Sequence, residues 1–133
     1  VYHSTGVNMV ELMASLFTDR SLPRAAMGSA RAVIYQHLLL EGRKLKVTAE
    51  HALSSACGMR VEKGFYGADE AITNLPNESA GRGVATLITS GASLKEAKGR
   101  MKEAVKSIAS DYRATVEDIS PWGMESAYDA IDA

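Results

Sequence analysis

The sequence predicts a mainly α protein, a single-domain irregular helical bundle that spans residues 1–133. In several segments the apolar residues recur at three- and four-residue steps, which is the period of one helical face. The two clearest segments follow capping residues, Asn8 and Ser93, and Glu96 stands at the capping-box position after Ser93. Short breaks join the segments, and the chain has no repeat, low-complexity tract or long linker. Such spacing is typical of one bundle.

The first half of the chain predicts three helices. The first begins after Asn8 and carries an apolar face of Met9, Val10, Leu12, Met13, Leu16 and Phe17. The second runs from Leu22 or Pro23 to Glu41, because proline suits a first turn and glycine at position 42 suits a helix end. The third covers residues 49–57 and ends before the glycine at position 58.

The second half predicts a series of further helices. Residues 69–75 form a short helix that ends at a proline, and residues 76–91 form another. The clearest helix runs from Leu94 to about Tyr112. A short turn over 115–119 and a last helix over 124–131 complete the bundle.

An alternative fold remains open for the middle of the chain. Residues 44–47 and 59–66 alternate between polar and apolar side chains, which is typical of half-buried strands. The alternative is therefore a small α+β domain in which these two segments pair as a short two-stranded sheet.

The composition excludes several classes of protein. The apolar fraction of 46% and a net charge of −1 are those of a globular chain and not of a disordered or polycationic one. One cysteine excludes a disulfide scaffold. No apolar run reaches the length of a membrane span, and residues 1–8 lack the features of a signal peptide. The prediction is a cytoplasmic protein without a cofactor or a metal.

The charges are unevenly placed along the chain. Residues 1–66 carry eight basic and five acidic side chains, residues 67–113 seven and six, and residues 114–133 none and five. On the helix from Leu94, four lysines at steps of three, four and four form a line along one flank. We define the lysine line as Lys95, Lys98, Lys102 and Lys106. It could contact phosphates or an acidic protein surface, as could the basic segment Arg43, Lys44 and Lys46.

One pair of residues suggests an enzyme. Arg31 and His37 form an Arg-x5-His arrangement on the predicted second helix. This arrangement resembles the short Arg-x4–6-His motif of the HEPN family of helical ribonucleases and toxins. The resemblance implies a dimer cleft in which Arg31 and His37 act on an RNA phosphodiester. A histidine can exchange protons near neutral pH and an arginine can hold a phosphate.

The sequence favours a protein without catalytic activity. We predict a helical interaction protein that acts as an oligomer or as a subunit of a larger assembly, with nucleic acid as a second class of partner. The candidate contacts are the lysine line, the basic segment and the acidic residues of 114–133. Met9, Met13, Met59 and Met124 stand near predicted element ends, and methionine suits adaptable partner surfaces. The alternative is the ribonuclease built on Arg31 and His37.

Overall fold

The computed structural model describes residues 2–18, 30–55, 57–76 and 81–118, and it shows an α+β fold. In chain order the elements are α1 (Tyr2–Thr5), α2 (Met9–Phe17), β1 (Ala32–Glu41), β2 (Lys44–Thr48), a 3-10 turn (Ala52–Ser55), β3 (Arg60–Lys63), a second 3-10 turn (Phe65–Gly67), β4 (Glu70–Thr73), β5 (Arg82–Gly91), α3 (Leu94–Asp111) and β6 (Thr115–Asp118). The strands form one six-stranded sheet in the order β3-β4-β5-β1-β2-β6. The β2–β6 pair is parallel, and the other neighbouring strands are antiparallel.

The prediction of a mainly α helical bundle is wrong, and β1 shows why. Ile34, Gln36, Leu38 and Leu40 are buried at every second position, which is the period of a strand. Residues spaced by four satisfy both the strand period and the helical period, so Ile34 and Leu38 also fitted a helical stripe. Residues 22–29, the earlier part of the predicted second helix, lie outside the described residues.

The predicted helix over 76–91 is also wrong, because β5 occupies residues 82–91. This strand lies inside the sheet between β4 and β1 and is buried along almost all of its length. A strand covered on both faces has no clean alternation, so its apolar residues resemble the face of a helix. Gly83 lets the strand pass close to its neighbour, since an added Cβ would lie 2.6 Å from Cδ of Pro76.

The remaining short helices are corrected in the same way. Residues 52–55 form a 3-10 turn within the predicted third helix. The strand β4 lies within the predicted helix over 69–75, and β6 occupies residues 115–118 of the predicted turn over 115–119. The α+β alternative gives the right class, and strands lie near both of its segments. However, β2 and β3 do not pair, since three strands separate them in the sheet. The predicted helix over 124–131 lies outside the described residues.

The helix α3 confirms the clearest prediction. It begins at Leu94 after the Ser93 cap, whose Oγ accepts a hydrogen bond from the Glu96 backbone N–H at 3.2 Å. Its buried side chains are Ala97, Met101, Ala104, Val105, Ile108 and Ala109. They pack on one face of the sheet against residues of β1, β2, β4 and β5, and this layer is the hydrophobic core.

The opposite face of the sheet is covered by small elements. The 3-10 turn Ala52–Ser55 contacts β5 and β1, and α1 contacts β1. The Arg31 backbone N–H donates to the Ser4 carbonyl at 3.1 Å, and Nε2 of His3 lies 3.5 Å from Oε2 of Glu70. These contacts hold α1 beside the sheet. The helix α2 follows directly after α1 in the chain.

Candidate interaction surface

The helix α2 is a well-formed local structure. Asn8 caps it, because the side-chain Oδ1 accepts hydrogen bonds from the backbone N–H groups of Val10 at 3.1 Å and Glu11 at 3.4 Å. At the other end, Oγ1 of Thr18 donates to the carbonyl of Ala14 at 3.0 Å. The predicted first helix is therefore confirmed, with its N-cap at the expected residue.

The apolar side of α2 faces solvent instead of the core. No residue of the helix is buried. Five large apolar residues are exposed, from 45% at Met9 to 85% at Phe17. We define the α2 stripe as these five residues, Met9, Val10, Met13, Leu16 and Phe17. An amphipathic helix normally buries such a stripe, so its exposure makes the α2 stripe a candidate contact surface.

The lysine line is only partly available to a ligand. It lies on α3 as predicted, and Lys95 and Lys106 are exposed. Nζ of Lys106 lies 2.9 Å from Oε1 of Glu103. Lys98 and Lys102 are half-buried, and each is engaged in an interaction of its own. Four ammonium groups therefore do not stand open along this flank.

Carboxylates of the sheet pair with two residues of the basic segment. Nζ of Lys44 lies 3.4 Å from Oε2 of Glu117, and Nζ of Lys46 lies 2.6 Å from Oε2 of Glu41. The hydrogen bond from Lys46 and its positive charge lower the pKa of Glu41, and the same hydrogen bond and charge raise the pKa of Lys46. Arg43 is exposed and forms no ion pair with another described residue.

The structure adds two arginines to this segment. Arg82 begins β5, where it stands opposite Glu41, and its Nε lies 3.5 Å from Oε1 of that residue. Arg113 lies near Arg43, because the backbone N–H of Thr115 donates to the Arg43 carbonyl at 2.8 Å. We define the basic corner as Arg43, Lys44, Arg82 and Arg113. All four residues are exposed, and they come from three separate parts of the chain.

Arg31 and His37 do not form the arrangement that the ribonuclease resemblance implies. Arg31 precedes β1 and His37 lies within it, so the pair is on extended chain and not on a helix. Six residues of a strand span about 20 Å at 3.3 Å each. The two side chains are therefore too far apart to hold one phosphate group.

His37 belongs instead to a small ring cluster on the face of the sheet opposite α3. Its Nδ1 lies 2.8 Å from Oγ1 of Thr86, and its ring meets those of Tyr35 and His51 edge to face at 5.1 and 5.0 Å. Partial burial lowers the pKa of His37, and the nearby His51 lowers it further. A neutral imidazole bonded to a buried threonine fits a packing role.

The described residues hold neither a cluster of metal ligands nor a paired cysteine. They contain no group of three or more His, Cys, Asp or Glu side chains that could hold a metal ion. Cys57 is exposed, and its backbone carbonyl accepts a hydrogen bond from Nδ2 of Asn74 at 2.7 Å. Within the same residues, no helix is both long and apolar enough to cross a membrane.

Sequence reasoning missed two parts of these surfaces. Arg82 and Arg113 lie about 40 and 70 residues from Arg43 in the chain, and only strand pairing brings them together. The exposure of Val10, Leu16 and Phe17 was missed because a helical stripe has the same sequence pattern whether it faces a core or solvent. Met9, Met13 and Met59 are exposed, as expected of partner-facing methionines. Met124 and the acidic residues beyond position 118 lie outside the described residues.

The chain matches no protein-family model, no curated protein and no solved structure.

Proposed function

We propose that this chain is a non-catalytic interaction protein that works as an oligomer and assembles through the α2 stripe. The observation that carries the proposal is the exposure of five large apolar side chains on one side of a capped helix. Burying such a stripe is favourable by about 25 cal/mol for each Å² removed from water. The exposed thiol of Cys57 fits a reducing compartment, and we propose the cytoplasm.

The charges of α2 favour a protein partner over a membrane surface. Helices that lie on membranes carry lysine or arginine on their polar side. The only charged residue of α2 is Glu11, and it is acidic. Two methionines in the stripe allow it to adapt to another packed surface.

Replacing Leu16 with glutamate tests this function. We expect the unmodified protein to increase in mass with concentration, in sedimentation or light scattering, and Leu16→Glu to remain a monomer. The charge would have to be buried without a partner, which is costly. Because apolar contacts are not screened by salt, the mass of the unmodified protein should not fall between 0.05 and about 0.5 M salt.

Ala14→Glu is the matched control for this measurement. Ala14 is exposed on the same helix but lies outside the stripe, so Ala14→Glu should associate like the unmodified protein. A protein that is monomeric at every concentration, or an equal loss in both variants, would contradict the proposal.

The basic corner supports a second candidate function, the binding of nucleic-acid phosphates. Three of its four residues are arginines, whose planar fork suits phosphate oxygens. Glu41 and Glu117 offset part of the charge, while Arg43 and Arg113 keep theirs unpaired among the described residues. We expect any binding to be independent of base sequence and sensitive to salt.

A double charge reversal tests the basic corner. Arg43→Glu with Arg113→Glu should weaken the binding of a labelled 20-nucleotide single strand by about tenfold or more at low salt, since two phosphate contacts are lost. Arg60→Glu with Lys63→Glu changes the net charge equally at exposed positions on β3, at the other edge of the sheet. Equal weakening by both pairs would show that only overall charge matters and would reject the corner as a site.

A further inference from the structure

The spacing of the five residues in the α2 stripe indicates which partner fits it. At 100° per residue, its members lie in the angular order Leu16, Met9, Met13, Phe17, Val10 and span about 120° of the helix surface. Met13 is at the centre of that span. It is also at the centre along the chain, because Met9 and Phe17 lie four residues away on either side and Val10 and Leu16 lie three.

A stripe with this spacing can pair with a second copy along its whole length. In an antiparallel pair the two-fold axis runs between the two helices, perpendicular to both and level with Met13, and it brings the two Met13 side chains together. Met9 then lies at the level of Phe17 of the second copy, and Val10 lies at the level of Leu16. Closed dimers use such contacts, in which residue i meets residue j and residue j meets residue i. Each copy buries the same five apolar side chains.

The charges of the helix agree with an antiparallel pair. The stripe contains no charged residue, and Glu11 lies about 160° from Met13 around the helix. No like charges therefore meet across the axis. Antiparallel packing also places the positive end of each helix dipole beside the negative end of the other, whereas parallel packing places like ends together.

We infer that the partner of the α2 stripe is a second copy of this chain, joined by a two-fold axis at Met13 with the two α2 helices antiparallel. The inference rests on the proposed function and adds its stoichiometry and geometry. Stable interfaces bury about 800 Å² on each partner, and a stripe of five side chains on a helix about 13 Å long supplies roughly half of that area. The dimer is therefore reversible, with dissociation expected in the micromolar range.

Disulfide trapping tests the geometry. In a Cys57→Ser background, Met13→Cys should form a covalent dimer under mild oxidation. Packed helices have axes 8–10 Å apart and Cα atoms about 2.3 Å from each axis, so the two Cα atoms at position 13 come to about 4–5 Å, within disulfide range. The replaced side chains of Cys57 and Met13 are exposed, and circular dichroism checks that each variant folds.

Three further cysteine variants separate the antiparallel dimer from its alternatives. In the antiparallel pair the two copies of position 9 lie about 12 Å apart along the helices, so Met9→Cys alone should not crosslink, but Met9→Cys mixed with Phe17→Cys should. Ala14→Cys, outside the stripe, should not crosslink. Crosslinking of Met9→Cys alone as fast as Met13→Cys would indicate a parallel pair and overturn the inference.

The mass of the uncrosslinked protein distinguishes the two possible failures. If the protein forms dimers or larger oligomers that Leu16→Glu disrupts, but Met13→Cys does not crosslink, the proposed function stands and the two-fold geometry is wrong. If the protein stays a monomer, both are wrong.

Discussion

At the scale of single residues, His37 shows how a side chain with catalytic chemistry can be held in a packed cluster of rings. It lies between Tyr35 and His51, and its directly opposed neighbours in the sheet are the uncharged Thr48 and Thr86. No carboxylate among these neighbours compensates a positive charge on the ring. Burial lowers the pKa of His37, with His51 acting in the same direction, so protonation opposes the folded state.

The sign of this shift predicts a loss of stability in weak acid. Above about pH 6.5, the ordinary pKa of histidine, His37 is neutral in both the folded and the unfolded chain. As the pH falls below that value, the unfolded chain binds the proton more readily, so the free energy of unfolding falls. We expect His37→Gln to reduce the loss in urea unfolding between pH 7.5 and pH 5.

His3→Gln is the control for this pH effect. His3 lies beside the carboxylate of Glu70 instead of another histidine. The His3→Gln variant should therefore lose as much unfolding free energy in weak acid as the unmodified protein does. An unchanged pH profile in His37→Gln would contradict the assignment of this sensitivity to His37.

At the scale of elements, one carboxylate joins the end of β5, the start of α3 and the second 3-10 turn. Both carboxylate oxygens of Asp69 accept from the Arg100 guanidinium, at 2.8 and 3.2 Å, and one accepts from Oγ of Ser90 at 2.8 Å. Nη2 of Arg100 also donates to the carbonyl of Gly67 at 2.9 Å. The partial burial of Asp69 acts to raise its pKa, but the hydrogen bonds from Arg100 and Ser90 outweigh it, and the pKa is lowered.

Replacing Asp69 with asparagine should loosen this junction. We expect Asp69→Asn to lower the free energy of unfolding at pH 7 by about 1–3 kcal/mol, the usual contribution of hydrogen bonds to a charged group. Because the pKa of Asp69 is lowered by folding, its contribution is complete above about pH 4 to 5 and is lost as the pH falls below that range. The variant should therefore differ less from the unmodified protein at pH 3.

Glu103→Gln is the matched control in the same denaturation experiment. Glu103 pairs with Lys106 on the exposed side of α3, and such surface pairs contribute about 0–1 kcal/mol. A loss in Glu103→Gln as large as that in Asp69→Asn would argue against a special role for the junction.

The two amphipathic helices show what the sequence could and could not predict. Both α2 and α3 were predicted from caps and apolar spacing, since these are local signals. The sequence could not say that Met101 would be buried while Met13 would be exposed. That difference depends on whether a sheet lies beside the helix, which is not a local property.

At the scale of the whole molecule, the sheet was the feature that local patterns concealed. Its central pair, β1 and β5, joins residues about 50 positions apart, from Glu41 opposite Arg82 to Ala32 opposite Gly91. The strand β5 is buried on both faces and so lacks the alternation that identifies a strand. The strand β1 keeps its alternation, but its four-residue spacing also fits a helix. Only two of the four residues of the basic corner were predicted from the sequence. Arg43 and Lys44 are neighbours in sequence, whereas Arg82 and Arg113 join them only through strand pairing.

The parallel strand β6 has a consequence for how the chain avoids aggregation. It covers the edge of β2 from Lys44 to Val47, where free backbone N–H and C=O groups would otherwise be open to another chain. Because β6 follows α3 in the chain, β6 can pair with β2 only once α3 has returned the chain to this edge of the sheet. Until β6 is in place, the apolar and β-prone segment around Leu45 and Val47 offers an open template. The four-residue strand β6 thus replaces the apolar edge of β2 with a shorter edge that carries Glu117 and Asp118, and short, charged edges discourage pairing with another chain.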